Sequence, residues 1–335
     1  MIGTGASAIQ IVPEVQAVAA HLDVYQRTAP WVIPRNEHRY SRLEKAAFRH
    51  IPGVQKLART AVYWGREAYV PAFVWKPQIA APAKKLALRN IAKGISDPEL
   101  QAKVTPAYEF GCKRVLISNR YYPALAADTT DLVTDPIREV TKTGITTADG
   151  THREIDVLIV ATGFETTDIP IAHHVRGENG ELMSERFART GMAAYKGSTV
   201  PGFPNLFFIV GPNTGLGHSS MVFIIESQVK YLREALRTMR TQQIATIQPT
   251  EDAFTSWNAT VQQRMASTVW STGGCESWYQ DEHGRNTTLW PSFTFLFRHL
   301  LRSFDLEHYV VTSNLTSTDT SNDSSSTKNE ELTRA

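Results

Sequence analysis

The sequence predicts an α/β fold, and three features of its pattern support this class. A glycine-rich turn near the start separates an apolar segment from a helix, apolar runs typical of buried strands recur later in the chain, and helices with one apolar face lie among them. The 335 residues are 42% hydrophobic and 20% charged, which is enough apolar sequence for a sizeable core. At about 150 residues per domain, this length predicts two domains.

The first predicted unit is a glycine-rich turn of the kind that binds dinucleotides. Residues 3–8 follow a G-x-G-x-x-A pattern, in which Gly3 permits a tight turn, Gly5 lets the backbone approach a pyrophosphate, and Ala8 allows close helix packing. Apolar spacing predicts a helix over 7–20, with its free N–H groups facing the phosphates. The alternative is a glycine turn before an ordinary helix.

A strand predicted over 22–26 ends at Arg27 and Thr28. An NAD-binding protein places an acidic residue here for the ribose hydroxyl, so a cation and a hydroxyl favour the 2′-phosphate of NADP. The alternative is a surface arginine that binds no ligand.

Residues 36–108 differ from their surroundings because helices predominate there. The pattern predicts helices over 40–50, 54–69 and 79–93. Residues 35–103 hold 14 Lys or Arg against 5 Asp or Glu. We interpret this local excess of positive charge as a solvated face, with a phosphate, lipid or nucleic-acid surface as the alternative.

Beyond residue 112 the pattern returns to strands. Short strands are predicted over 115–117, 131–134, 137–140 and 144–147, and apolar runs over 154–164 and 205–210 indicate buried parallel strands. Helices are predicted over 220–241, 251–268 and 292–302, and the polar composition of 312–335 predicts a disordered tail.

The composition limits the class and the location of the protein. A net charge of +2, from 35 basic and 33 acidic residues, argues against a nucleic-acid-binding protein. No transmembrane helix and no signal peptide are recognisable. Cys112 and Cys275 are too few for a disulfide framework and indicate a reducing compartment, so we expect a cytoplasmic protein. We predict no metal site, since His173 and His174 lack a third ligand at useful spacing.

Six segments, taken in order, resemble the flavin-dependent monooxygenase superfamily and most closely the Baeyer–Villiger monooxygenases. The resemblance covers nearly the whole chain and lies in residues 3–10, 25–31, 111–114, 156–164, 211–213 and 277–279. It implies FAD and NADP(H) as cofactors, and a C4a-peroxyflavin that inserts one oxygen atom of O₂ into a ketone or adds it to a soft heteroatom.

The resemblance also implies roles for individual residues. Arg114 is the implied catalytic residue, because a guanidinium beside the flavin stabilises developing negative charge. Arg27, Thr28 and Lys113 are expected at the 2′-phosphate, with an ordinary basic pair at a strand start as the alternative for Lys113 and Arg114. Further cofactor-binding residues are expected around the two nucleotides: Gly3, Thr4, Gly5, Ser7, Ala8, Gln10, Ala161, Thr162, Gly163, Asn213 and Trp278. For the last two, core packing is an equal alternative.

The implied organisation is a Rossmann-like NADP-binding domain (1–35 and 109–160), a helical insertion (36–108), the C-terminal portion of a second, FAD-binding Rossmann-like domain (161–311) and the tail. The family's first FAD-binding stretch has no counterpart in the sequence. We therefore keep two alternatives open, a non-catalytic NADP-binding remnant and one half of a split enzyme whose other half is a separate chain. The expected partners are O₂ and a small ketone or thioether.

Overall fold

The computed structural model describes residues 1–313. Most of the predicted tail, residues 314–335, lies outside the described residues. Helices and strands are mixed along the chain, which agrees with the predicted α/β class. Among the described residues, no helix is long and apolar enough to cross a membrane.

The N-terminal part is built around short parallel strands, as the glycine-rich unit predicts. Helix α1 packs its buried face on the first of these strands, and the backbone of Ile2 bridges Tyr25 on one side and Val160 on the other. The elements are α1 (Ala8–Gln16), β1 (Leu22–Tyr25) and β2 (Val32–Ile33), with β1 paired in parallel to the later strand Thr130–Val133.

Where the helical insertion is predicted, the chain forms a run of helices between two strands that pair with each other. Strand β2 is parallel to β3 (Leu116–Ile117), so the chain leaves this pair, forms the helices and returns to it. The helices are α2 (Arg42–His50), α3 (Val54–Glu67), α4 (Val70–Val74), α5 (Ala81–Gly94) and α6 (Pro98–Val104). Helix α2 buries no residue, which fits the solvated basic face.

The chain then forms a small antiparallel sheet and a C-terminal group of helices. The elements before residue 191 are α7 (Tyr121–Leu125), β4 (Thr130–Val133), β5 (Ile137–Val140), β6 (Gly144–Thr147), β7 (His152–Glu154) and α8 (Met183–Thr190). Those after it are α9 (Met221–Thr241), β8 (Ile244–Pro249), α10 (Glu251–Met265), α11 (Val269–Thr272), α12 (Thr294–Leu300) and β9 (Tyr309–Ser313).

Two predicted buried strands are wrong as regular strands. In the run 154–164 only Val160 bridges Ile2, and Val157 and Val160 expose 71% and 63% of their surface. The run 205–210 is interrupted because Asn205 and Val210 have positive φ angles, of 59° and 60°. Apolar composition predicts where a chain tends to be buried, but a strand also needs a neighbour to pair with along its length.

The C-terminal pairing of β8 with β9 was not predicted, and it corrects the start of the tail. Residues 312 and 313 belong to β9 and pair with β8. The polar side chains of this strand give no clear strand pattern in the sequence. The strand forms nevertheless, because an edge strand needs only backbone partners and one apolar side.

The two cysteines correct a second expectation. Cys112 and Cys275 form a disulfide although 163 positions separate them in the sequence. The fold brings their backbones together, since the Glu109 N–H donates to the Gly273 carbonyl at 3.0 Å. The count of two cysteines, too few for a disulfide framework, and the reducing compartment inferred from it did not predict this single bond.

Candidate nucleotide site

The glycine-rich turn has the geometry expected of a pyrophosphate cradle. Gly3 has a φ of +108°, and a Cβ there would lie 2.3 Å from the Ala161 carbonyl oxygen. A Cβ on Gly5 would meet no atom within 4 Å, so this backbone faces open space. Ser7 precedes α1 without a capping hydrogen bond, and Ala8 is fully buried. The start of α1 therefore offers its amide groups to an anion.

Two side chains fasten this turn. The Thr4 hydroxyl donates to the Thr28 carbonyl at 3.0 Å, which joins the turn to the end of β1. Gln10, on the first turn of α1, donates its amide to the Ala6 carbonyl at 2.8 Å. Their observed contacts are thus to the backbone of the turn and of the β1 end.

Arg27 and Lys113 stand before and after the helical insertion in the sequence, yet the charge of Arg27 acts on Lys113 in the folded chain. Burial, and after it the positive charge of Arg27, lower the pKa of Lys113 below its ordinary value, while Glu276 opposes this shift. The Lys113 ammonium lies 5.3 Å from the centre of the Tyr108 ring. Two cations held near each other are a suitable partner for a dianionic phosphate.

Arg114 lies next to the segment that carries Trp278. Its charge acts to lower the pKa of the buried Tyr279, although burial raises that pKa overall. The Arg114 side chain is exposed, and within residues 1–313 no carboxylate forms an ion pair with it. Its guanidinium is therefore free to face an anionic ligand.

Residues 161–163 lie beside the glycine-rich turn. The Ala161 N–H donates to the Ile2 carbonyl at 2.8 Å, and Ala161 also contacts Gly3. Thr162 and Gly163 are exposed, and Gly163 has a φ of +104°. The turn and this segment together form one continuous edge.

Asn213 and Trp278 differ in whether the side chain remains available to a ligand. Asn213 is buried, and its amide nitrogen donates to the carbonyls of Asn286 and Leu289 at 2.8 and 3.1 Å. It thus fixes one loop against another. The Trp278 ring is half exposed and lies tilted against the Tyr279 ring, with 4.5 Å between ring centres, so it is accessible to a ligand.

One buried polar cluster was not predicted from the sequence. The Glu67 carboxylate accepts hydrogen bonds from the Thr294 N–H and hydroxyl, and lies 3.3 Å from His218 Nε2. His218 lies in a glycine-rich loop, and its partner lies 151 positions away on α3. No local spacing links them, so only the fold reveals the contact.

Three other features resemble sites: two cavities and one group of possible metal ligands. Cavities of about 500 and 400 Å³ lie at α9–α12 and at α5, but no predicted site residue lines either one. His21, Asp23 and Asp131 place ligand atoms within 4.8 Å of one another. The Arg153 guanidinium lies 3.6 Å from the Asp23 carboxylate and supplies positive charge there, so we read the group as an ion network.

Comparisons with known proteins agree with the motifs. No family model matches the chain. It is 47% identical over 313 residues to a Baeyer–Villiger monooxygenase of Pseudomonas aeruginosa, covering 93% of this chain and 59% of that protein. It is 46% identical over 312 residues to a Baeyer–Villiger monooxygenase of Streptomyces coelicolor, covering 93% and 60%. The chain thus spans about 60% of the length of these curated relatives.

The solved structures show the same fold. A closed crystal structure of cyclohexanone monooxygenase matches with a TM-score of 0.78 at 22% identity, covering 93% of this chain and 66% of that one. An oxidised steroid monooxygenase bound to NADP matches with a TM-score of 0.75 at 24% identity, with the same coverage.

The fold and the glycine-rich turn define an α/β protein of the dinucleotide-binding class. More specifically, the chain is homologous to Baeyer–Villiger monooxygenases over nearly all of its described length, which confirms the resemblance.

Proposed function

We propose that this chain carries the NADP(H)-binding region and part of the FAD-binding region of an FAD- and NADPH-dependent monooxygenase. The observation that carries the proposal is the glycine-rich turn, where Gly3 approaches the Ala161 carbonyl with a positive φ and the Gly5 backbone faces open space. The positive charge of Arg27, which acts on Lys113 from a separate segment, supports the 2′-phosphate assignment. The relatives named Baeyer–Villiger monooxygenase, and the FAD-binding monooxygenase ktnD of Aspergillus niger at 35% identity, support the reaction class.

The proposed domains follow the sequence boundaries. Residues 1–35 and 109–160 would hold NADP(H), 36–108 would form the helical insertion, and 161–311 would contribute to FAD binding. The parallel pairing of β2 with β3 supports the first division, because it closes the two parts around the insertion.

The residues present fit the two nucleotides in part. Gly3, Gly5 and the start of α1 would hold a pyrophosphate, while Arg27, Thr28 and Lys113 would hold the 2′-phosphate. Arg114 and Trp278 would face the flavin. When bound, the flavin would accept reducing equivalents from NADPH and activate O₂, and the Arg114 guanidinium would stabilise negative charge at the reacting oxygen. The substrate class is a ketone or a thioether.

The direct test compares NADPH with NADH. Arg27→Gln and Lys113→Gln each remove one phosphate contact, so we expect NADPH to bind about tenfold more weakly and NADH almost unchanged. Fluorescence titration of the purified chain measures both constants. Lys93→Gln, an exposed lysine of α5, is the matched control. An equal loss of affinity for NADPH and for NADH would contradict a 2′-phosphate site.

A non-catalytic NADP-binding protein is the second candidate, because the open glycine-rich turn would bind NADPH whether or not the chain also catalyses a reaction. Oxygen uptake with added FAD, NADPH and a cyclic ketone or a thioether separates the two functions. NADPH-dependent uptake that forms an ester or sulfoxide supports the monooxygenase, whereas tight NADPH binding without uptake supports the alternative. The relatives hold the matched region and the rest in one chain, so they do not support a separate partner chain. The cytoplasmic location stays a prediction.

A further inference from the structure

We propose that the Cys112–Cys275 disulfide positions the nucleotide site, and that reducing it weakens the binding of NADPH. The inference rests on the proposed function, since it concerns the same site. The proposed role of the disulfide is to hold Lys113 and Arg114 against the segment that carries Trp278.

The disulfide joins two segments that carry site residues. Cys112 directly precedes Lys113, and Cys275 lies three positions before Trp278, with 6.2 Å between the two Cα atoms. Burial is the largest cause of the pKa shifts of Lys113 and Tyr279, but charges across this junction also act on them. Glu276 acts to raise the pKa of Lys113, and Arg114 acts to lower the pKa of Tyr279. A shift of one segment relative to the other would therefore change the surroundings of both cations.

Little regular structure fixes these segments. Residues 106–115 and 273–293 contain no helix or strand. Between the two segments, the Glu109 N–H donates to the Gly273 carbonyl at 3.0 Å, and Cys112 packs closely on Gly273, where a Cβ would lie 2.8 Å from the Cys112 Sγ. Loops held by few backbone hydrogen bonds open at low free-energy cost, so a covalent link between them has a large effect on their positions.

The geometry allows the bond to be reduced from one side. Cys112 is fully buried, whereas Cys275 is partly exposed. A dithiol reductant would attack the Cys275 sulfur as a thiolate and displace the Cys112 thiolate, which takes up a proton. The second thiol of the reductant then releases the Cys275 thiol and closes a cyclic disulfide. Two electrons and two protons pass from the reductant to the protein disulfide.

The test is an NADPH titration of the full chain before and after treatment with dithiothreitol. We expect about tenfold weaker NADPH binding after reduction, because Lys113 loses its fixed position beside the phosphate. NADH lacks the 2′-phosphate and should change less than about twofold. Two thiols per chain should become titratable as the affinity falls. The double variant Cys112→Ser with Cys275→Ser, as the matched control, should bind weakly and show no response to dithiothreitol.

Hydrogen exchange gives a readout that does not depend on nucleotide binding. Reduction should speed amide exchange at 109–114 and 273–279 but leave β1 and β4 unchanged. Two titratable thiols with unchanged affinity and exchange would overturn the proposal, and so would two free thiols in the folded protein under oxidising conditions. Absence of NADPH binding in both states, with faster exchange on reduction, would refute the proposed function and still support the positioning role.

Discussion

Gly3 and Gly5 stand in the same turn but are required for different reasons. At Gly3 the backbone has a positive φ and approaches the Ala161 carbonyl, so the requirement comes from the fold itself. At Gly5 the structure leaves open space, so the requirement comes from the ligand. The sequence pattern names both positions but does not tell these two causes apart.

We therefore expect opposite results for two matched substitutions. Gly3→Ala should lower the free energy of unfolding by about 2 kcal/mol or more, because the new methyl group collides with the backbone and the φ angle is strained. Gly5→Ala should keep the free energy of unfolding within about 0.5 kcal/mol but weaken NADPH binding about tenfold. Urea unfolding and NADPH titration measure the two effects. If Gly5→Ala bound NADPH like the wild type, the turn would not face the pyrophosphate.

Asn213 and Trp278 show where residue-level prediction stops. Both lie in motifs that resemble the same family. For each, cofactor binding and core packing are equal alternatives from the sequence. The structure separates them, because the Asn213 amide is used by two carbonyls of a neighbouring loop while the Trp278 ring stays accessible. Which hydrogen bonds a side chain makes depends on residues more than 70 positions away, and no local pattern contains that information.

Among the secondary-structure elements, helices were predicted better than strands. The periods of α3, α5 and α9 are visible in local sequence, and these helices formed close to the expected boundaries. Strands depend on pairing, so in the run 154–164 only Glu154, at the end of β7, and Val160 pair with a neighbour, and the β8–β9 pair was missed.

A buried carboxylate between α12 and β9 ties this segment to α9 and to the loop that follows α8. Asp305 accepts hydrogen bonds from the Tyr195 and Tyr231 hydroxyls and from the Lys196 ammonium, the last at 2.8 Å. Burial acts to raise the pKa of Asp305, but these hydrogen bonds outweigh it and hold the pKa below its ordinary value. The group therefore contributes stability above about pH 4, and this contribution falls as the pH drops toward the pKa of the folded state.

Asp305→Asn should thus lower the free energy of unfolding at pH 7 by about 3 kcal/mol, because Lys196 then keeps a buried charge without its partner. It should also flatten the loss of stability below about pH 4. Urea unfolding between pH 3 and 7 checks both effects. Asp128→Asn, at an exposed position, should keep the wild-type pH dependence. A variant with unchanged acid sensitivity would show that other carboxylates control it.

The Glu67 cluster connects α3 with the start of α12. Glu67→Ala would leave His218 and the Thr294 hydroxyl buried without their acceptor, so we expect a loss of about 3 kcal/mol in the free energy of unfolding. Glu226→Ala removes an exposed ion pair to Arg298 and should cost less than about 1 kcal/mol. Thermal and urea unfolding of both variants measure the difference. Equal losses would mean that the buried cluster adds nothing beyond a surface pair.

At the scale of the whole molecule, several strongly exposed apolar residues lie in the segments that carry candidate site residues. Phe164 exposes 90% of its surface and Val157 71%, and Trp278 lies half exposed. Surfaces of this kind favour association between molecules.

We therefore expect the isolated chain to self-associate as its concentration rises. Phe164→Ser together with Val157→Thr should reduce this association without lowering the free energy of unfolding by more than about 1 kcal/mol, since both side chains face solvent. Sedimentation over a range of concentrations measures the association, and added sulfate should strengthen it in the wild type. A double variant that associates as strongly as the wild type would place the contact elsewhere.

The sequence by itself determined the α/β class, the glycine-rich turn, most helices and the family resemblance, because each of these rests on local periodicity or on a short motif. The tertiary structure decided which distant segments meet, as Cys112 with Cys275 and Glu67 with His218 show. These contacts depend on the path of the chain through the helical insertion and back to the parallel strands. Spacing along a sequence records neighbours in the chain, whereas a binding site is made by neighbours in space.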